Sequence, residues 1–223
     1  KSKRGTAFQL ERGIMFIEQR QVGPMAVFAY LIGDEAAGEA IVIDPAADTE
    51  GILAAAEKRK VRITTIVNTH GHVDHTGGNG DMKRETGAAI VIHEDDTDML
   101  IHAPEAMLRM FGAKASPPAD RTVREGEVIV AGQVALRVIH TPGHSPGSMT
   151  LLVDGYAFTG DTLFVEGVGR TDFPGGSAEV MFDSILRKLC TLPDETIVLP
   201  GHNYGSSSTS TIGHEKQYNP FLR

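Results

Sequence analysis

Three imidazoles and a carboxylate fall within six consecutive positions, His70-Gly-His72-Val-Asp74-His75, directly after the apolar run at 61–67. At this composition such a match arises by chance in on the order of one chain in a thousand. So dense a set of metal-seeking donors needs a rigid frame to hold it open, and a loop at the end of a strand is such a place. Imidazole and carboxylate are the donors preferred by zinc and by non-haem iron or manganese. With no cysteine in the segment, the pattern points away from a thiolate structural site and toward a catalytic metal. His70 and His72, two apart on an extended segment, point the same way, whereas Asp74 and His75 follow a turn and face a second ion. Four groups cannot complete two catalytic sites, so further donors must come from other loops at the same edge.

The rest of the chain supplies three. His144 lies in Thr141-Pro-Gly-His-Ser-Pro-Gly147, where two Pro-Gly steps hold a tight turn. Asp161, in Thr159-Gly-Asp-Thr162, follows the apolar strand at 156–159 and can bridge two cations. His202, in Leu199-Pro-Gly-His-Asn203, again comes straight after a strand. Alone, each reads more readily as a turn, cap or exposed loop residue; together with the first cluster they make a set of seven. His93, His102, His140 and His214 occupy no comparable position, and His140, near His144, is the one expected to support a ligand from behind.

The frame is an alternation of sheet and helix. Short apolar runs at 26–32 and 40–43, joined by a turn-prone Gly-Asp-Glu-Ala-Ala-Gly segment, read as antiparallel strands. Asp48 is placed to cap a helix over 49–60, and a strand, helix, strand crossover then runs from 61 to 92 around the polar loop 68–78. In α/β sheets, sites collect at the carboxyl ends of strands, which is where that loop falls. A helix at 104–111, stopped by Gly112, is expected to turn Met107, Leu108 and Phe111 into the core rather than over the site as a lid. Strands at 128–130, 134–139, 149–153 and 156–159 form a second sheet, with an Asp154-Gly155 hairpin turn between the last two. Ser177 caps a helix through Leu189, and a strand at 196–199 follows. Two mixed sheets with helices outside them predict a four-layer α/β/β/α sandwich spanning residues 1–223 as one domain.

At 223 residues a chain buries about 70% of the surface it exposes when unfolded, so a metal is not needed as a staple. A net charge of −8 opposes association with a phosphate backbone or an anionic membrane, and no apolar run reaches membrane-spanning length. Nucleic acid and membrane are therefore not expected partners. The lone Cys190 trails the apolar face of the 177–189 helix, as a buried inert thiol would. Lys1-Ser-Lys-Arg4 is followed by no apolar signal core before Glu11 and Arg12, so a cytoplasmic location is expected.

In the order and spacing of His70, His72, Asp74, His75, His144, Asp161 and His202, the chain resembles the metallo-β-lactamase superfamily over nearly its whole length. The resemblance implies two divalent ions, zinc first, with iron or manganese also suited. One is held by His70, His72, His144 and a bridging Asp161, the other by Asp74, His75, Asp161 and His202. A hydroxide shared between the ions then serves as nucleophile, and no serine or cysteine nucleophile is required. Within the superfamily, the segments 160–170 and 192–204 resemble the hydroxyacylglutathione hydrolases (glyoxalase II), in a compact form that ends at Asn219-Pro-Phe-Leu-Arg223 without their helical carboxyl-terminal domain. That likeness implies hydrolysis of a small anionic thioester, an S-2-hydroxyacylglutathione, with Arg170 and Tyr204 contacting the glutathione. The runner-up is persulfide dioxygenase, which Gly169-Arg-Thr-Asp-Phe173 and a carboxyl-terminal Ser-Thr…Glu pattern also resemble. There a single iron on His70, His144 and Asp161 acts with oxygen on glutathione persulfide.

Overall fold

Along the strand Val27–Asp34 every one of eight consecutive residues is buried, which only a strand covered on both faces can satisfy. The computed structural model, which describes residues 6–9 and 15–223, shows how that cover is made. The stretches 1–5 and 10–14, weighed above for an export signal, lie outside the described residues.

The first sheet has the order β1 (Thr6–Gln9), β2 (Met15–Val22), β3 (Val27–Asp34), β4 (Glu39–Ile43), β5 (Arg62–Val67), β6 (Ala89–His93), β7 (Arg121–Val123). It is antiparallel from β1 to β4 and parallel from β4 to β7. Strands β8 (Val128–Ala131), β9 (Val134–His140), β10 (Met149–Val153) and β11 (Tyr156–Gly160) begin the second sheet. A two-stranded ribbon, β12 (Leu163–Phe164) with β13 (Gly167–Val168), comes next. The second sheet is completed by β14 (Ile197–Pro200) and β15 (Ser210–Thr211), in the order β15-β14-β11-β10-β9-β8.

Side-chain parity sorts the apolar residues into three layers. Ile17, Tyr30 and Ile32 of the first sheet meet Leu136, Val138, Leu151 and Phe158 of the second in the central layer. The opposite parity, Phe16, Leu31 and Val42, packs on Ile52 and Ala56 of α1 (Thr49–Arg59) and on Met82 of α3 (Asn79–Thr86). On the far side, Val198 and Leu163 lie against Met181, Ile185 and Leu189, from α6 (Ala178–Ser184) and the π-turn that extends it, and against Ile212 of α7 (Ile212–Tyr218). Three apolar layers separate four structural ones, the expected α/β/β/α sandwich. Each fully buried Ile, Leu or Phe contributes about 1.5–3 kcal/mol of transfer free energy to that arrangement.

Several expectations need correction. The loop 68–78 contains a short helix, α2 (Val73–Thr76), followed by α3 (Asn79–Thr86), which Gly87 ends in a left-handed turn. Asp48 offers no side-chain cap to α1; its carboxylate takes a hydrogen bond from Arg20 at 2.9 Å instead. Strand β2 escapes an apolar pattern because Gln19 is buried in it, donating to Tyr30 Oη at 3.1 Å and to the Ser208 carbonyl at 2.9 Å. Leu186 is exposed although it fits the helical period. A further helix, α4 (Thr97–Ile101), precedes α5 (Glu105–Phe111), and α5 has no buried residue, so it is not a core face. Cys190 is half-buried against the outer layer, and burial raises its thiol pKa. Among the described residues no helix is long and apolar enough to cross a membrane.

Candidate metal centre

The carboxyl ends of β4, β5, β6, β9, β11 and β14 open at one edge of the sandwich, and each delivers polar residues there. The loop after β5 carries His70 and His72, and α2 carries Asp74 and His75. The turn after β9 brings His144, while the parallel neighbours β11 and β14 end side by side at Asp161 and His202. His202 is held by the first sheet as well: it bridges Val27, and the Phe28 N–H donates to the Gly201 carbonyl at 2.8 Å. Gly201 has no room for a side chain, since a Cβ would collide with the Asp161 carboxylate.

All seven predicted donors come together. Three groupings have their donor atoms within 4.8 Å of one another: His70–His72–His144, His70–His75–Asp161 and Asp74–His75–His202. His72 Nδ1 lies 2.8 Å from His144 Nε2, and His75 Nε2 lies 3.1 Å from His202 Nε2. Asp161 sits between the two halves, with Oδ1 3.3 Å from His75 Nε2 and Oδ2 3.2 Å from His202 Nε2 and 3.6 Å from His144 Nε2. Asp74 Oδ2 completes the second half, 3.5 Å from His202 Nε2.

Hydrogen bonds behind the rings decide which atoms face inward. Asp44, buried just past β4, accepts from the Thr69 N–H at 2.8 Å and the Thr69 hydroxyl at 2.7 Å, and from His75 Nδ1 at 3.0 Å. The Thr69 oxygen in turn accepts from His70 Nδ1 at 3.1 Å. His144 Nδ1 donates to the Arg170 carbonyl at 2.7 Å and His202 Nδ1 to the Met25 carbonyl at 2.8 Å. Four rings are thereby held with Nε2 turned toward the centre, the orientation a metal requires. His70 Nε2 and Asp161 Oδ1 are buried with no hydrogen-bond partner, a costly state that a cation would relieve. The residues present therefore fit one or two metal ions.

The electrostatics agree. Burial, reinforced by His75 and His144, pushes the His70 pKa well below its ordinary value, and burial with His144 pushes His72 down to about 4. Burial also disfavours charge on His75, yet Asp161, Asp44 and Asp74 outweigh it and push its pKa up to about 10. Burial would raise the Asp161 pKa, but His75, His202 and His144 hold it well below the usual carboxylate range. His70 and His72 offer neutral imidazoles, while the carboxylates around His75 make an anionic field that favours a cation.

Two supports were absent from the sequence reading. Asp44 was signalled weakly, as an acid between an apolar strand and Pro45 at the ligand edge. Asp96, fully buried, joins the two ligand loops: Oδ2 accepts from the Gly71 N–H at 2.8 Å and the Ser145 hydroxyl at 2.7 Å, and Oδ1 from the Gly147 N–H at 2.6 Å. Nothing in the run Glu94-Asp-Asp96 distinguishes its last member. His140 does support the His144 loop, through the Pro146 carbonyl at 2.8 Å. It stacks on His93 at 3.9 Å and 13°, so although His93, Asp95 and His140 group together, the in-plane lone pairs of the two rings run parallel instead of converging.

Arg170 and Tyr204 both line the cavity above the cluster. The Arg170 guanidinium donates to Asp172 through Nε at 2.7 Å and Nη2 at 2.6 Å, and lies 4.2 Å over the Phe173 ring. Tyr204 stacks flat on His202, 4.4 Å between centroids. Burial, then Asp161 and Asp74, push the Tyr204 phenol up to about 12.

Comparison with known proteins follows the same lines. The profile of the metallo-beta-lactamase superfamily matches residues 22–202. An uncharacterized protein of Aquifex aeolicus is 39% identical over 210 residues, 93% of this chain and 97% of that one. The human mitochondrial persulfide dioxygenase ETHE1 is 34% identical over 198 residues, 87% of this chain and 71% of that one. Among solved structures, the BLEG-1 B3 metallo-beta-lactamase superposes with a TM-score of 0.84 at 31% identity, covering 92% of this chain and 99% of that one. ETHE1 from Myxococcus xanthus gives 0.77 at 35% identity, covering 91% and 83%. TTHA1623 in a di-iron-bound form gives 0.80 at 32% identity, covering 92% and 99%.

Proposed function

The chain belongs to the metallo-β-lactamase superfamily, and from that premise we propose that it is a metal-dependent enzyme that oxygenates the terminal sulfur of a small persulfide. This is the runner-up of the sequence reading. The observation that carries it is the 34% identity to human persulfide dioxygenase, sustained through 87% of this chain. Its three expected iron ligands, His70, His144 and Asp161, lie together at the strand ends, with the His70 and His144 rings 4.7 Å apart and His144 Nε2 3.6 Å from Asp161 Oδ2.

His70, His144 and Asp161 would hold an iron, which when bound would supply the redox chemistry through which dioxygen oxidises sulfur. The chain's own residues do the rest. Thr69 and Asp44 hold the His70 proton on Nδ1, so Nε2 is permanently available. The Arg170 carbonyl does the same for His144. Phe173, 5.2 Å from the His72 ring, and Phe164, 5.9 Å from that of His202, set apolar rings beside the ligands.

A second reading, thioester hydrolysis, is favoured by one specific observation: Asp74, His75 and His202 form a complete second donor group beside the shared Asp161. A pair of ions would supply hydroxide near neutral pH. Metal analysis with an oxygen electrode separates the two. One iron per chain, with oxygen uptake matching the glutathione persulfide consumed, is the expected outcome. Two ions per chain and cleavage of S-lactoylglutathione without oxygen uptake transfer the assignment to hydrolysis.

A further inference from the structure

Above the donor cluster lies a cavity of about 360 Å³, the size of a compact organic group. Its walls are Met25, Met107, Phe111, Phe164, Phe173 and Phe221, drawn from five separate parts of the chain. Met25 and Phe221 are exposed, at 38% and 55%, although both face this hollow. Large apolar side chains left uncovered around a cleft mark a surface that something apolar covers. Helix α5 lies along one side of the hollow and has no fully buried residue; Met107 and Phe111 are only half-buried there.

The charges tell the same story. Apart from the donors Asp74 and Asp161, the one charged side chain on the lining that is not an imidazole is Arg170. The Nε–Nη2 edge of its guanidinium is taken by Asp172, two residues along the same loop, and one face lies over Phe173. A substrate carboxylate must displace a partner tethered at high effective concentration and gains little by the exchange. Glutathione carries two carboxylates and an ammonium group, and away from the donor cluster the lining offers them no free counter-charge.

We propose that the sulfur compound this cavity admits carries an apolar group, an aryl or alkyl thiol derivative, and that the glutathione tripeptide is not its preferred carrier. The inference rests on the sulfur-chemistry reading above and extends it to the rest of the substrate. A bound ring replaces water against Met107, Phe111 and Phe221 and contributes through apolar burial alone, as the walls allow.

Calorimetry on the zinc-loaded protein, with benzyl mercaptan and glutathione as probes, tests it without turnover. Benzyl mercaptan is expected to bind at least about tenfold more tightly. Phe111→Ser, on a helix with no fully buried residue, is expected to remove most of that advantage. Met107→Arg is expected to shift preference toward glutathione. Equal or tighter binding of glutathione by the unmodified protein overturns the proposal, as does a Phe111→Ser protein that binds benzyl mercaptan undiminished. Failure to turn over any persulfide or thioester overturns the sulfur-chemistry reading alone, because the binding ratio stands independently of catalysis.

Discussion

The floor and the roof of the cavity are built on opposite principles. On the floor, His70, His75, His144 and His202 are all buried, and each ring has its Nδ1 tied to a fixed acceptor. On the roof, α5 has no buried residue, and its Arg109–Glu105 pair is exposed on both sides. Chemistry that depends on atom positions is placed where packing fixes them, and contact with a substrate of variable shape is left to side chains free to adjust. A test of this contrast is whether floor substitutions act on metal and rate while roof substitutions act on substrate alone.

The largest effect is expected at the junction of the two donor groups. Asp161→Asn removes the one carboxylate that approaches His75, His144 and His202 together. Turnover is expected to fall by at least about a thousandfold, with metal content per chain falling in parallel. Atomic absorption and kcat on the same preparation check it; a fully loaded and active variant would show that Asp161 only fills space.

That junction was legible in the sequence, and the comparison shows why. A metal accepts few residue types, so His70, His72, Asp74, His75, His144, Asp161 and His202 declare themselves by identity and by following strands. The sheets were legible where apolar periodicity is strong, as at β9, β10 and β11. Strand β2 was hidden because the buried Gln19, the half-buried Arg20 and the exposed Gln21 break its apolar pattern. Asp96 was hidden because its role is to receive two backbone N–H groups from distant loops, which no local spacing encodes. Helix α5 was found, but its direction was misjudged: Met107 and Phe111 carry the same apolar signal whether they face a core or a cavity. Whether the bound substrate is a persulfide or a thioester lies a step further from local pattern, since the three ligands of one reading are all contained in the seven of the other.

Next in size are the two carboxylates beneath the floor. Asp44→Asn disturbs the proton placement on His70 and His75, and Asp96→Asn puts an amide where three donors converge. Each is expected to weaken metal binding by about 10- to 100-fold, as loss of a ligand's supporting hydrogen bond commonly does. The pair also splits the floor. Asp96 grips only the loops of His70, His72 and His144, so its loss is expected to weaken one site and spare the group of Asp74, His75 and His202. Competition titration with a chelating dye reads the two affinities separately. Equal weakening of both would mean that the loops move as one body. Asp96→Ala is further expected to destabilise the metal-free protein by roughly 3 kcal/mol in urea unfolding, since three buried donors lose their acceptor.

The smallest effect is expected at Arg170, on the rim where floor and roof meet. In the glyoxalase II likeness a basic residue here clamps glutathione, and its removal would raise KM several-fold with kcat unchanged. In the structure the guanidinium is spent on Asp172 and Phe173, and the ion pair is exposed on both sides. At so exposed a place a substrate carboxylate that replaced Asp172 would meet the same screening by water and contribute little. Arg170→Ala is therefore expected to change KM for a glutathione-based substrate by less than about twofold, while Asp172→Ala, which frees the guanidinium, is expected to lower it. Steady-state kinetics on the two variants decide the matter. A large rise in KM for Arg170→Ala would mean that Asp172 yields its partner when substrate arrives, and that the rim belongs with the adjustable roof instead of the fixed floor.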